Sequence, residues 1–156
     1  HLTDLLGFFA GPAEWVIGNA QRSHGPRNVE HTASAMVGFR NGARGFIEGG
    51  GRRKYFAFDM EIQGERGILK IGNSPPSLML TAPSERWSGF SELRETDFPA
   101  YKPNNGFVAA FEALLAEITI GTPSGSSGHD GRAALELILA VYESSARGGR
   151  RVRLGS

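Results

Sequence analysis

The spacing of apolar residues changes period late in the chain, and that change restricts the fold more than any other feature. Up to about residue 98 the recurring period is two. Ala33, Ala35, Val37 and Phe39 fall on one side of an extended segment, and Phe56, Phe58, Met60 and Ile62 alternate with Tyr55, Ala57, Asp59 and Glu61. Asn41-Gly42 separates residues 32 to 39 from a second run, Ala43 to Glu48, and Asn-Gly between two such runs is a strong hairpin signal. Trp15-Val16-Ile17 reads as a short first strand left through Ser23-His24-Gly25-Pro26. Gly64 to Gly67 turns the chain into Ile68 to Ile71, and Leu78 to Leu80 and Trp87 to Phe98 offer further strands after the Pro75-Pro76 break.

From Phe107 the period is helical. Phe107, Phe111, Leu114, Leu115 and Ile118 form a stripe expected to lie on the sheet, with the Phe56 and Phe107 sets read as core. After the loop from Gly121 to Gly128, Asp130 can cap another helix, with Leu135, Ile138, Leu139 and Tyr142 on one face and Gly148-Gly149 at its end. Val152 to Leu154 supplies a closing strand. At the other end Leu2, Leu5, Leu6 and Phe9 share a helical face that Gly11-Pro12 stops. Strands in one block with helices at the ends predict an α+β domain: one open, mostly antiparallel (mixed) sheet with helices on one face, residues 1 to 156 forming a single domain. The uncovered face then needs a partner, and Trp15 and Trp87 are expected on it, which points to a homo-oligomer.

Composition narrows the function classes. The formal charge of +1 comes from thinly spread basic residues, apart from Arg52-Arg53-Lys54 and the stretch from Arg147 to Arg153, so no footprint for nucleic acid stands out. Without cysteine there is no disulfide framework, zinc thiolate or cysteine nucleophile, which suits a reducing compartment; the cytoplasm is the expected location. No apolar run reaches the roughly 20 residues that span a bilayer, so no membrane partner is expected. His24, His31 and His129 lack metal-site spacing. Ser23-His24 with Asp59 or Asp97 lacks the elbow of a serine hydrolase, and the triad is set aside. Arg52 and Tyr55 follow a glycine triplet between two strands, where a loop can project charge toward a phosphate or carboxylate or form a solvated tip.

Several stretches together resemble one family. "HLTDLL" (1 to 6) is similar to the end of its Asp-x-Gly-x-His-x-x-Asp helix, and "VEHTASAMVGFRNGARGFIEGG" (29 to 50) to its paired strands. "MEIQGERGILKIGN" (60 to 73) is similar to its next hairpin, and "GHDGRAALELILAVYESSARGGRRVRL" (128 to 154) to its closing helix and strand. The family is that of the glucose-fructose oxidoreductase, inositol dehydrogenase and MocA proteins, NAD(P)-dependent oxidoreductases, and the resemblance is to their C-terminal domain. It implies a dihydrodipicolinate reductase-like or glyceraldehyde-3-phosphate dehydrogenase-like C-terminal fold that completes the substrate pocket and forms the oligomer interface. His1 then resembles the histidine that moves the hydroxyl proton, a task suited to imidazole, and Asp4, one turn later, shares its helical face and can orient it or touch substrate. His31 stands where the family often has an acidic residue and is read as surface variation.

No Gly-x-Gly-x-x-Gly follows a strand, and no lysine matches the family's Glu-Lys-Pro. The resemblance therefore implies that NAD or NADP and the catalytic lysine belong to a preceding Rossmann part of the parent, and that these residues alone hold no cofactor and are inactive. A sugar, cyclitol or related polyol is the implied substrate. The alternative is a non-catalytic sheet module that self-associates through its open face.

Overall fold

The computed structural model describes residues 1–22, 29–51, 54–102 and 104–155. Helix α1 spans Leu2–Ala10 and begins at His1, with Asp4 in the first turn where a carboxylate complements the helix dipole. It ends where Gly11, at φ 80°, donates its N–H to the Gly7 carbonyl, and Pro12 cannot continue it. Four strands follow around this helix: β1 (Ala13–Arg22), β2 (Glu30–Phe39), β3 (Arg44–Gly50) and, from the far end of the chain, β8 (Val152–Arg153). They form an antiparallel sheet in the order β3-β2-β1-β8. The Asn41-Gly42 turn joins β2 to β3 as expected, with Gly42 at φ 91° and the Asn41 side chain accepting the Ala43 N–H and donating to the Ala10 carbonyl.

Helix α3 (Gly128–Ala146) covers one face of this sheet. Its inward residues are Leu137, Ala140, Val141 and Ser144, packed with Val16, Ala35, Val37, Phe39 and Val152. Alanine and serine on this face let the helix come so close that a Cβ on Gly18 would stand 2.8 Å from the Val141 side chain. The fully buried Ser144 hydroxyl accepts the Gly18 N–H at 2.9 Å and donates to the Arg150 carbonyl at 2.6 Å, while the Ser145 hydroxyl accepts the Ala20 N–H. Leu135, Ile138, Leu139 and Tyr142, which share one face as the period implies, are exposed. Both faces carry apolar residues; the inner one combines Leu137 and Val141 with the small Ala140 and Ser144, and Val141 and the Ser144 hydroxyl both meet Gly18. Helix α1 lies over β3 on the same side of the sheet, Leu6 above Gly45 and Leu2 above Gly49.

Residues 1–53 with 106–156 make one compact unit and residues 54–105 a second. The second is an antiparallel meander, β4 (Asp59–Gly64), β5 (Gly67–Gly72), β6 (Ser77–Pro83) and β7 (Ser91–Thr96), in that spatial order. Its register puts Met60, Ile62, Leu69, Ile71 and Leu78 on one face. The α+β class and antiparallel pairing are as expected, but the strands divide between two four-stranded sheets, since pairing runs only between sequence neighbours within residues 59–96.

Helix α2 (Gly106–Ile120) forms where its period predicts, but none of its residues is buried, Phe107 being 83% and Phe111 66% exposed. Phe56 is exposed as well. Reading these residues as core is therefore corrected: periodicity tells which residues share a face and is silent on what covers it. Trp15 lies on the sheet face away from α3, as expected, but is only 6% exposed there, and Trp87 sits in the β6–β7 connection, exposed, where its backbone N–H donates to the Ser84 hydroxyl.

Candidate functional site

The N-terminal turn of α1 carries the first two site residues. His1 is the residue before the helix, exposed, and its carbonyl accepts the Leu5 N–H. Asp4 follows one turn on, half-buried, in the wall of a cavity of about 390 Å³. The far wall comes from the start of α3. Ser127 caps that helix, its hydroxyl accepting the Asp130 N–H, and the Asp130 carboxylate accepts the Ser127 N–H in return. The helix therefore starts at Gly128, and Asp130 closes a capping box rather than serving as the cap. Hydrogen bonds from the Ser127 hydroxyl and then its backbone N–H hold the Asp130 carboxyl below the usual carboxylate range.

The cavity thus brings Asp4 together with Thr3, Ser126 and Asp130 as hydrogen-bonding groups against an apolar wall of Leu5, Phe8, Phe39 and Leu137. Such a mixture suits a small ligand with hydroxyl groups to donate and a carbon frame to bury. Asp130 and Ser126 were not among the sequence candidates. Their signal was the Ser-x-x-Asp spacing at Ser127, which marks a helix start and hence a helix end that can face a site.

His1 does not line this cavity, and the remaining candidates do not join the group either. Tyr55 belongs to the second unit and is 68% exposed there, and Arg52, like His24, lies outside the described residues. His31, read from sequence as surface variation, is half-buried in β2, and its Nδ1 is enclosed with no hydrogen-bond partner among the described residues. It stands at a register shift between β1 and β2, where Gln21 pairs with Thr32 and Arg22 with Glu30. Among the described residues no three His, Asp or Glu side chains gather as a metal site, and no helix is long and apolar enough to cross a membrane.

The glycine run at 49–51 does not fit a dinucleotide. Gly50 and Gly51 have positive φ because the strand end folds tightly against His31, whose carbonyl accepts the Gly51 N–H at 2.6 Å, and a Cβ on Gly50 would lie 2.2 Å from that oxygen. The next element is the strand β4, so there is no helix N-terminus to receive a pyrophosphate.

Comparison with known proteins gives three findings. The model of a family described as the GFO/IDH/MocA C-terminal domain matches residues 1–70. No curated protein matches the chain. Among solved structures, the chain is similar to the WlbA dehydrogenase from Bordetella pertussis in complex with NADH and UDP-GlcNAcA, at 21% identity and a TM-score of 0.70, over 100% of this chain and 43% of that one. It is similar to an aldose-aldose oxidoreductase from Caulobacter crescentus complexed with glycerol, at 21% identity and a TM-score of 0.72, over 97% of this chain and 44% of that one. A levoglucosan dehydrogenase in complex with NADH gives 20% identity and a TM-score of 0.77, over 100% of this chain and 48% of that one. At these identities the likeness is one of fold, and the chain spans less than half the length of each of these proteins.

Proposed function

We propose that this chain, whose residues 1–70 match the GFO/IDH/MocA C-terminal domain, is the substrate-side domain of a nicotinamide-dependent oxidoreductase acting on a secondary alcohol of a sugar, cyclitol or related polyol. The observation that carries the reading is the head of α1, where His1 and Asp4 stand one turn apart within the matched residues and Asp4 opens onto the cavity. The imidazole of His1 accepts and returns the substrate hydroxyl proton, which its near-neutral intrinsic pKa permits. Asp4 accepts a substrate hydroxyl or holds the ring. The dinucleotide and the catalytic lysine belong to residues outside these 156, in keeping with less than half coverage of each neighbour and with the misfit of the glycine run.

The test has two arms. The chain by itself should show no saturable quenching of NADH fluorescence and no turnover. In the parent oxidoreductase, His1→Ala should lower kcat by about 10²–10⁴-fold on whichever polyol it oxidises, and exogenous imidazole, which can carry the same proton, should restore part of the loss. An unchanged kcat in that variant would end the assignment.

A second reading, a self-associating sheet module, is favoured by one observation: on the face of the first sheet away from α3, Phe46 is 75% exposed beside Ile17 and Met36. A dimer or larger assembly through this face is compatible with both readings. A monomer by light scattering at micromolar concentration would count against it.

A further inference from the structure

On the same face of the first sheet, at the end where the strands meet the β2–β3 turn, one row of paired positions runs across all four strands. Arg44 on β3 is opposite Gly38 on β2, Gly38 is opposite Trp15 on β1, and Trp15 is opposite Arg153 on β8. Directly paired positions on antiparallel strands share a face, so the row is one surface. The Trp15 indole lies flat across Gly38, where a Cβ would come within 2.1 Å of the ring. Two guanidinium groups lie over that ring: the Cζ of Arg151 is 4.2 Å from its centroid and that of Arg44 is 5.1 Å away. This is why a tryptophan on an open sheet face is only 6% exposed.

The electrostatics of the row are incomplete. Two cations over one indole gain from its π face but repel each other, and Arg153 adds a third charge alongside. Among the described residues no carboxylate pairs with Arg44, Arg151 or Arg153, and Glu14, the nearest acid along β1, is in ion contact with none of them. Arg44 uses one Nη to donate to the Gly42 and Ala43 carbonyls, which fixes it at the turn, and among the described residues its other N–H groups donate to no acceptor. Arg151 donates to no protein acceptor among the described residues. Stacking holds a guanidinium plane still while leaving its N–H edge free, the geometry in which arginine grips a planar or tetrahedral oxyanion.

We propose that Arg44, Arg151 and Arg153, organised on Trp15, form a binding site for a small oxyanion, a phosphate or phosphate-bearing group. This site is separate from Asp4 and its cavity, and it requires that an assembly through this sheet face leave the arginine row open. The anion bridges Arg151 and Arg153, neutralises the repulsion over the indole and leaves the ring beneath as a reporter.

The chain has two tryptophans, so a Trp87→Phe background, which changes an exposed loop residue, makes Trp15 the sole indole signal. Inorganic phosphate and pyrophosphate titrated at constant ionic strength should shift Trp15 emission saturably, and Arg151→Gln should weaken binding about tenfold, the scale of a charge-assisted hydrogen bond. Arg153→Gln, which removes a guanidinium that does not stack on Trp15, should show a loss of the same kind and serves if the Arg151 variant does not fold. A response matched by chloride at equal ionic strength, or unchanged in both variants, would overturn the site. A response that tracks dissociation of an oligomer by light scattering would overturn it as well, assigning the arginine row to carboxylates of a second copy.

Discussion

The two sheets make a controlled comparison within one chain. Each has four antiparallel strands, and each alternates apolar with polar residues. In the first, α3 and α1 lie on the apolar face, and Val16, Val37 and Phe39 are at most 1% exposed. In the second, the matching face of Met60, Ile62, Leu69, Ile71 and Leu78 is only half-buried, and among the described residues every fully buried apolar side chain belongs to the first unit. The difference teaches that alternation marks a face fit for burial, while burial itself depends on a second element arriving. Hairpin ladders and exposed charge pairs such as Lys70 with Glu61, at 2.9 Å, then hold the second sheet's edges, and pairs of that kind add little.

The largest expected contrast comes from truncating one residue on each apolar face. Phe39→Ala should cost about 3–5 kcal/mol, as a fully enclosed aromatic does, whereas Leu69→Ala, half-buried at the start, should cost under about 2 kcal/mol. Urea unfolding of both variants checks this, and equal losses would show that the second face is covered in solution. Next is Ser144→Ala, which strands the buried Gly18 N–H and the Arg150 carbonyl and should cost about 1–3 kcal/mol. A near-neutral result would mean that α3 seats on β1 by packing alone.

Hydrogen exchange tests the comparison without mutation. Amides in β4 to β7 should open at lower free energy than those of β1 and β2, and uniform protection would break the contrast. The smallest effect is at the head of α3. Because the folded carboxyl of Asp130 titrates below its ordinary value, its contribution is present above that ordinary value and is lost as pH falls through the lowered folded one. Ser127→Ala should lower Tm by about 2–4 °C at neutral pH, with the gap from the native chain closing in acid. A gap independent of pH would mean that the cap acts without the Asp130 carboxylate.

Local rules were legible where a few consecutive residues settle the outcome. Gly11-Pro12 stops α1, Asn41-Gly42 turns β2 into β3, and the 3.6 period from Phe107 forms α2. The same pattern misled on which surfaces are covered. Leu135, Ile138, Leu139 and Tyr142 share the apolar face of α3 that the period marks, yet Leu137, Ala140, Val141 and Ser144 are inside, where Val141 and the Ser144 hydroxyl meet Gly18, and no window on the helix alone contains Gly18. For the site, Asp4 was legible from its spacing to His1. Ser126 and Asp130 lie more than 120 positions away, and only folding brings them to Asp4's cavity.

The amino-acid sequence by itself determined the α+β class, the antiparallel pairing of neighbours and the single helical turn that carries His1 and Asp4, since these depend on dihedral preference and periodicity over a few residues. Tertiary structure alone decided that Trp15 disappears beneath two arginines, that α3 turns Leu137, Ala140, Val141 and Ser144 inward, and that the meander forms a sheet of its own. The physical reason is that burial, stacking and cavity formation are properties of surfaces brought together from distant parts of the chain, and the free energy that selects among them is gained only on contact.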